Sequence, residues 1–335
     1  MAFDFNPQHR DIKTVPTDEL KSWMIDQTIR WAYHREWARR NKVMNQPKPW
    51  SVDTIIQSYR FCNVNRQDDK ETMLLNHGFF DPNRDRHDLW FNIAVARWIN
   101  WAPTVLAIGY TNLDNGYDAD DMFKRMMAVP EGKFYTGAYM IRGCTSAKEV
   151  GGDQEEYERC KNKRYFLAHH VFKGIYEVGA PEPGESLESY HKRLMTASSN
   201  GAFMAGQQIA DLKYYTMSKA PDWHTWGPEG PGPHKYLNMY NGRGLDEDRL
   251  GQKFIEELAE WESTFKSRLS SVMLDLNGAD LHIMKDVAKA LADPHNLKSN
   301  LVCEVSKYLK AMSGGRLRNN YDGKATTTTL AQFAP

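Results

Sequence analysis

The most unusual stretch of the chain is Arg60-Phe-Cys-Asn-Val-Asn-Arg-Gln-Asp-Asp-Lys70. If it is helical, or turns into a helix, Asn63, Arg66 and Lys70 fall on one side and three polar groups converge. A guanidinium beside an ammonium suits phosphate or pyrophosphate, because arginine binds it through two parallel hydrogen bonds and lysine adds a point charge. Asp68 and Asp69 could hold those cations, bind a magnesium ion or serve as a base. By composition alone, a solvated, salt-bridged helix start accounts for the same residues equally well.

Four further stretches carry candidate chemistry. Gly201 to Tyr215 strings small residues along a helix and sets Gln207 and Asp211 one turn apart. Tight helix packing explains the glycines and alanines, but not a carboxylate beside the packed face, so Asp211 is a functional candidate. Next come Asp222-Trp-His-Thr-Trp226 and Gly227 to Asn238. In the latter, Gly230-Pro-Gly232 before His234-Lys235 resembles the hairpin of helix-hairpin-helix modules, where backbone N–H groups at a helix start bind a DNA phosphate. Trp223 and Trp226 could stack on an extruded base, although a buried tryptophan is the default. Leu301 to Leu309 places Glu304 and Lys307 three residues apart, which usually makes a surface ion pair of small consequence. Arg316 and Arg318, after Gly314-Gly315, would form a flexible phosphate clamp. Asp88 to Ile108 reads mainly as a core helix, with Asn92 and Arg97 the residues that could face a site.

The elements that must position these residues are almost all helical. From Thr17 to about Asn41, Leu20, Met24, Ile25, Ile29 and Ala32 advance by three- and four-residue steps, with Thr17 placed to cap and a basic end from His34 to Lys42. Similar patterns cover 52–61, 68–76, 86–100, 119–127, 153–178, 186–196, 201–218, 246–274, 279–291 and 296–312. Only Lys133–Arg142 has β-like composition. The Gly- and Pro-rich 220–244 reads as irregular. Past Ser313 the apolar periodicity is lost, and the last ten to fifteen residues read as frayed. The expectation is a mainly α protein forming one large helical domain of two lobes, divided as a 1–50 helical extension, a 51–320 catalytic and DNA-binding domain, and a 321–335 tail.

Composition narrows the function classes. Lys+Arg and Asp+Glu each total 43, so any polyanion must be met by local basic patches rather than by net charge. Cys62, Cys144, Cys160 and Cys303 lack zinc-site spacing and disulfide-scaffold density, and read as reduced packing residues. His169-His170 are adjacent rather than four apart, and no HExxH occurs, so the pair reads as structural. The polar start and the lack of a long apolar run argue against a secretory signal and a membrane helix, giving a cytoplasmic expectation.

Taken in order, Arg60–Lys70, Phe134-Tyr-Thr-Gly-Ala-Tyr-Met-Ile141, Gly206-Gln-Gln-Ile-Ala-Asp-Leu-Lys-Tyr214, Gly230-Pro-Gly232 and Cys303-Glu-Val-Ser-Lys-Tyr308 resemble the phage and prophage DNA base hypermodification proteins. That group includes the alpha-glutamyl/putrescinyl thymine pyrophosphorylases and the helical domain that accompanies 5-hydroxymethyluracil DNA kinases. The resemblance spans roughly 50–320; Asn65 departs from it, where an aromatic or basic residue is expected. It implies a fold related to helix-hairpin-helix DNA glycosylases and a substrate of DNA bearing modified thymine bases, with a 5-hydroxymethyluracil DNA kinase as a partner. The implied reaction displaces pyrophosphate from the base's exocyclic methylene by the amine of an amino acid or polyamine. Arg66 and Lys70, with or without Mg2+, would neutralise the leaving group, and Asp211 or Asp69 would take the amine's proton. Arg60, Asn63, Gln207, Trp223, Glu304 and Lys307 would line the substrate; Gly230, Gly232, His234, Lys235, Arg316 and Arg318 would contact DNA. Rival readings are a glycosylase, or a noncatalytic DNA-binding module. A self-sufficient P-loop kinase is opposed by the absence of GxxxxGK[ST] from the sequence.

Overall fold

A computed structural model describes residues 3–136, 141, 143–247 and 252–317, and over these the protein is mainly helical with no strand. Two compact units account for them: one uses the chain up to Asp69 and again from Gly227 onward, the other Lys70–Trp226.

In the first unit the Leu20–Val43 helix is buried around most of its circumference in its middle turns, where Met24, Ile29, Trp31 and Ala32 are fully buried beside buried Gln27, Thr28 and His34. It begins at Leu20 with Glu19 at the cap position and no side-chain cap bond, so Thr17 does not cap it. Burial of its apolar surface, rather than a cap, fixes this helix. Around it lie Gln252–Leu274, Gly278–Leu291, Val302–Met312 and the Pro231–Tyr240 helix. Buried hydroxyls tie three of these together, since Tyr236 Oη meets Thr28 Oγ1 at 2.9 Å and accepts from Trp261 Nε1 at 3.1 Å.

The Pro231–Tyr240 helix corrects the reading of 220–244 as irregular throughout. Proline is tolerated in a first helical turn, where its missing N–H has no intrahelical partner, and Pro231 and Pro233 both fall there. Gly232 is required by packing: a Cβ there would lie 2.8 Å from Cys303 Cα.

The second unit assembles Leu89–Ile99, Ala102–Ile108, Ala119–Ala128, Leu187–Leu194 and Ala202–Leu212 around Phe91, Phe172 and Tyr190, all fully buried. The expected 153–178 helix is instead four pieces. Gln154–Cys160 stops where Asn162 accepts from the N–H groups of Arg164 and Tyr165, capping Lys163–Phe166; a π-turn at Leu167–Phe172 then leads into Lys173–Val178. Continuous apolar periodicity hid a side chain that competes with the helix for backbone donors. The described part of 133–142 is not a strand, and its remainder lies outside the described residues, as does the 321–335 tail.

Candidate functional site

In the first unit the stretch from Tyr59 to Asp69 does not form a helix face. Tyr59 is extended, Arg66–Asp68 makes one 3-10 turn, and Asp69 is extended again. Lys70 opens the first helix of the second unit, so Asn63, Arg66 and Lys70 are not aligned as a helical stretch would have aligned them. Side chains from three other elements hold the loop. Glu304 accepts the Cys62 N–H at 3.1 Å. Arg35 donates to the Cys62 and Phe61 carbonyls at 3.0 and 3.3 Å. Asn300 donates to the Asn63 carbonyl at 2.8 Å, and Asn296 Oδ1 accepts the Arg66 N–H at 3.1 Å. Both asparagines come from a π-turn, Asn296–Leu301, a backbone irregularity common near functional residues.

Within the loop, Asp69 accepts the Asn63 N–H at 2.8 Å and Asn63 Nδ2 donates to the Asp68 carbonyl at 2.7 Å. Asn63 Oδ1 is buried without a hydrogen-bond donor among the described residues. Burial raises the Asp69 carboxyl to about 6, against the Asn63 N–H and the charges of Arg35 and Arg66. Part of Asp69 stays accessible. Asp68 turns elsewhere, 3.5 Å from Arg39 Nε, so the two aspartates do not converge as a chelating pair in this arrangement.

Glu304 and Lys307 are not a surface pair. Glu304 is buried and receives the Lys307 ammonium at 2.7 Å, while that ammonium also lies 4.6 Å from the Phe61 ring centre. Burial is the largest single influence and opposes the Lys307 charge, but Glu304, Cys62 and Cys303 together hold the ammonium pKa above its usual value. The Cys62 thiol marks where these charges meet. Burial first, then Glu304 and Asp69, push it well up, against Lys307 and Arg66. Asn63, Arg66, Asp69, Glu304 and Lys307, drawn from two distant stretches of sequence, thus share one locality, with exposed Arg60 at its start.

In the second unit Asp211 has a different environment. Arg97 grips both its oxygens, Nε on Oδ2 and Nη2 on Oδ1 at 2.8 Å, while donating to Thr72 Oγ1 at 2.9 Å and Asn100 Oδ1 at 3.0 Å. Arg97 and Asp211 are both almost wholly buried. Gln207 lies half-buried one turn earlier on the same helix. Asn92 is spent on backbone, bridging Asp88 and Thr111 carbonyls and the Thr111 N–H. Trp223 donates to the Lys213 carbonyl at 2.6 Å, and the Lys213 ammonium stands 4.0 Å from its ring centre. A base stacking there would compete with that cation.

Of the residues expected to contact DNA, several are also engaged in packing and capping. Gly230 caps the Pro231–Tyr240 helix, but two of its first three residues are prolines, leaving only the Gly232 N–H to offer in that turn. His234 is buried, stacked 3.9 Å from Phe254, whereas Lys235 is exposed. Gly314 and Gly315 end the Val302–Met312 helix. The Gly315 N–H reaches the Lys310 carbonyl at 2.9 Å and Gly314 has φ 73°, a left-handed helix stop rather than a flexible spacer. Arg316 is exposed beyond it, and Arg318 lies outside the described residues.

A family model described as 5-hmdU DNA kinase, helical domain, matches residues 22–315. The chain belongs to that family. No curated protein and no solved structure gives a significant match. Membership in the 5-hmdU DNA kinase helical-domain family ties the chain to thymine hypermodification in DNA and to an enzymatic base-modification system. No helix among the described residues is long and apolar enough to cross a membrane.

For this 5-hmdU DNA kinase helical-domain member, sequence reasoning passed over Arg35, Asn296 and Asn300 and read Cys62 only as a packing residue. Arg35 sat inside a basic helix end visible in the sequence, but nothing in its spacing announced that it would hold a loop 26 residues on. The asparagines gave no signal beyond their type.

Proposed function

We propose that the chain catalyses the replacement of pyrophosphate on 5-(pyrophosphoryloxymethyl)uracil in DNA by an amine of an amino acid or polyamine. The observation that carries this reading is the half-buried Asp69, raised to about 6 beside Arg35 and Arg66. The amine nitrogen attacks the exocyclic methylene carbon, the carbon–oxygen bond to pyrophosphate breaks, and pyrophosphate leaves with the bonding pair. Asp69 takes the proton the amine sheds, a task suited to a carboxylate whose pKa lies near working pH. Arg66 receives the leaving group's charge; Mg2+ would share that role if bound. Asn63 Oδ1, buried and without a donor among the described residues, suits the N–H of the incoming amine. Asp211, already gripped on both oxygens by Arg97, takes no part in that proton transfer.

A second reading has its own support. The matched family is described as the helical domain of a kinase, and the sequence contains no GxxxxGK[ST] motif. On that reading the chain is a noncatalytic module that presents DNA to a 5-hmdU DNA kinase. Nucleoside mass spectrometry on pyrophosphorylated 5-hydroxymethyluracil DNA, incubated with the protein and a pool of amino acids and polyamines, separates the possibilities. An amine-adduct nucleoside with released pyrophosphate supports the transferase. Unchanged nucleosides despite DNA binding support the module, and free base indicates a glycosylase.

A further inference from the structure

Outside the site above, the second unit places three metal-binding side-chain types together. Glu156 and Cys160 stand one turn apart on the Gln154–Cys160 helix, and the Leu167–Phe172 π-turn brings His170 against them. One donor atom from each of the three lies within 4.8 Å of the others. His170 Nε2 is 2.7 Å from Glu156 Oε1, and Cys160 Sγ is 3.8 Å from the same oxygen. The trio opens onto a cavity of about 660 Å3, whose wall includes Glu156 and His170 with Tyr117, Asp118, His169 and Lys173. Cys160 is wholly buried behind them.

We infer that Glu156, Cys160 and His170 form a zinc site with one coordination position open to this cavity. Thiolate, imidazole and carboxylate together are a donor set for Zn2+ rather than for Mg2+ or Ca2+, which take oxygen. Tetrahedral zinc with bonds of the usual lengths separates its donors by roughly 3.3–3.8 Å. The Cys160–Glu156 spacing meets this, and His170 needs to withdraw by less than about 1 Å as the ion replaces its hydrogen bond to Glu156. Tyr165 Oη donates to the other Glu156 oxygen at 3.1 Å, the outer partner that fixes a ligating carboxylate. Three protein donors and a cavity on the fourth side leave room for water or an exchangeable ligand, the arrangement of zinc sites that are not purely structural. The adjacent histidines that looked structural thus divide: His170 turns to the donor trio, while His169 stacks on Tyr165 at 4.0 Å.

The test uses the full chain, stripped by chelator and titrated with Co2+ as a spectroscopic probe. The expected result is one equivalent bound, with a thiolate-to-cobalt charge-transfer band and the intense visible bands of four-coordination, both abolished by adding Zn2+. Cys160→Ser removes the charge-transfer band. His170→Ala, at a partly exposed position, weakens cobalt binding at least tenfold with unchanged circular dichroism and cancels the zinc-induced rise in Tm. A charge-transfer band that survives Cys160→Ser, or no band in the parent protein, overturns the assignment. Should Cys160→Ser fail to fold, equal cobalt affinity in the parent and His170→Ala overturns it as well.

Discussion

Asp69 and Asp211 are both aspartates shielded from water, one in each unit, and both were candidates for the same proton-accepting role. Their partners separate them. Asp211 is held on both oxygens by one guanidinium, itself held by Thr72 and Asn100; its charge is fully answered and its geometry fixed. Asp69 receives one backbone N–H, feels Arg35 and Arg66 without being gripped, and keeps part of its surface open. Burial by itself therefore says little about chemistry. A buried carboxylate with a complete set of donors is a fastening, and one with an incomplete set is poised to exchange a proton.

That contrast can be broken most sharply at Asp211. Removing one partner of a buried ion pair leaves the other charge uncompensated, so Arg97→Ala or Asp211→Asn is expected to cost about 3–5 kcal/mol of stability in urea denaturation. Near-parental stability with abolished turnover would reverse the two assignments. Asp69→Asn is expected to lower single-turnover formation of the amine adduct by roughly 10²–10⁴-fold, with DNA affinity within about twofold, since that is the usual contribution of a positioned base.

The pH dependence sharpens the comparison further. The folded pKa of Asp69 is raised from 3.8 to about 6, so folding favours its protonated form. That favourable contribution is complete below about pH 4 and is lost as pH rises through 6. Asp69→Asn should therefore gain stability relative to the parent between pH 4 and 6 and hold a constant advantage above. After allowance for residual solvent access the gain is on the order of 1–2 kcal/mol, read from Tm against pH. The adduct-forming rate of the parent should fall as pH drops through 6. The smallest effect is expected at Glu304→Gln, which keeps an acceptor for the Cys62 N–H but removes the charge facing Lys307. About 1 kcal/mol of stability should be lost, together with a drop in the Lys307 pKa, measurable by NMR of a 15N-labelled lysine ammonium.

The helical character, and most helix positions, were legible from three- and four-residue apolar steps, because burying one face is what most of these segments do. What escaped was local competition. Asn162 breaks one periodic run by capping a new helix, and Pro231 with Gly232 starts a helix inside a segment whose composition signals turns. For the site, residue type and order singled out Asn63, Arg66, Asp69, Glu304 and Lys307. They did not show that Glu304 would be buried against a backbone N–H from residue 62, because that depends on a contact 242 residues apart in sequence. Nor could they show that Asp211 would meet Arg97, 114 residues away, in a closed pair.

The division of the chain at Asp69 and Gly227 also bears on the order of events during synthesis. Among the described residues the second unit is one run ending at Trp226, whereas the first must wait for its distant half. Until Asn296, Asn300 and Glu304 leave the ribosome, the 60–69 loop has none of the three side chains that hold it from that half. A nascent chain arrested near residue 260 should therefore protect 70–226 from protease while 20–69 remains cleavable. The protein would acquire its charged loop last, after the rest of its length has been committed.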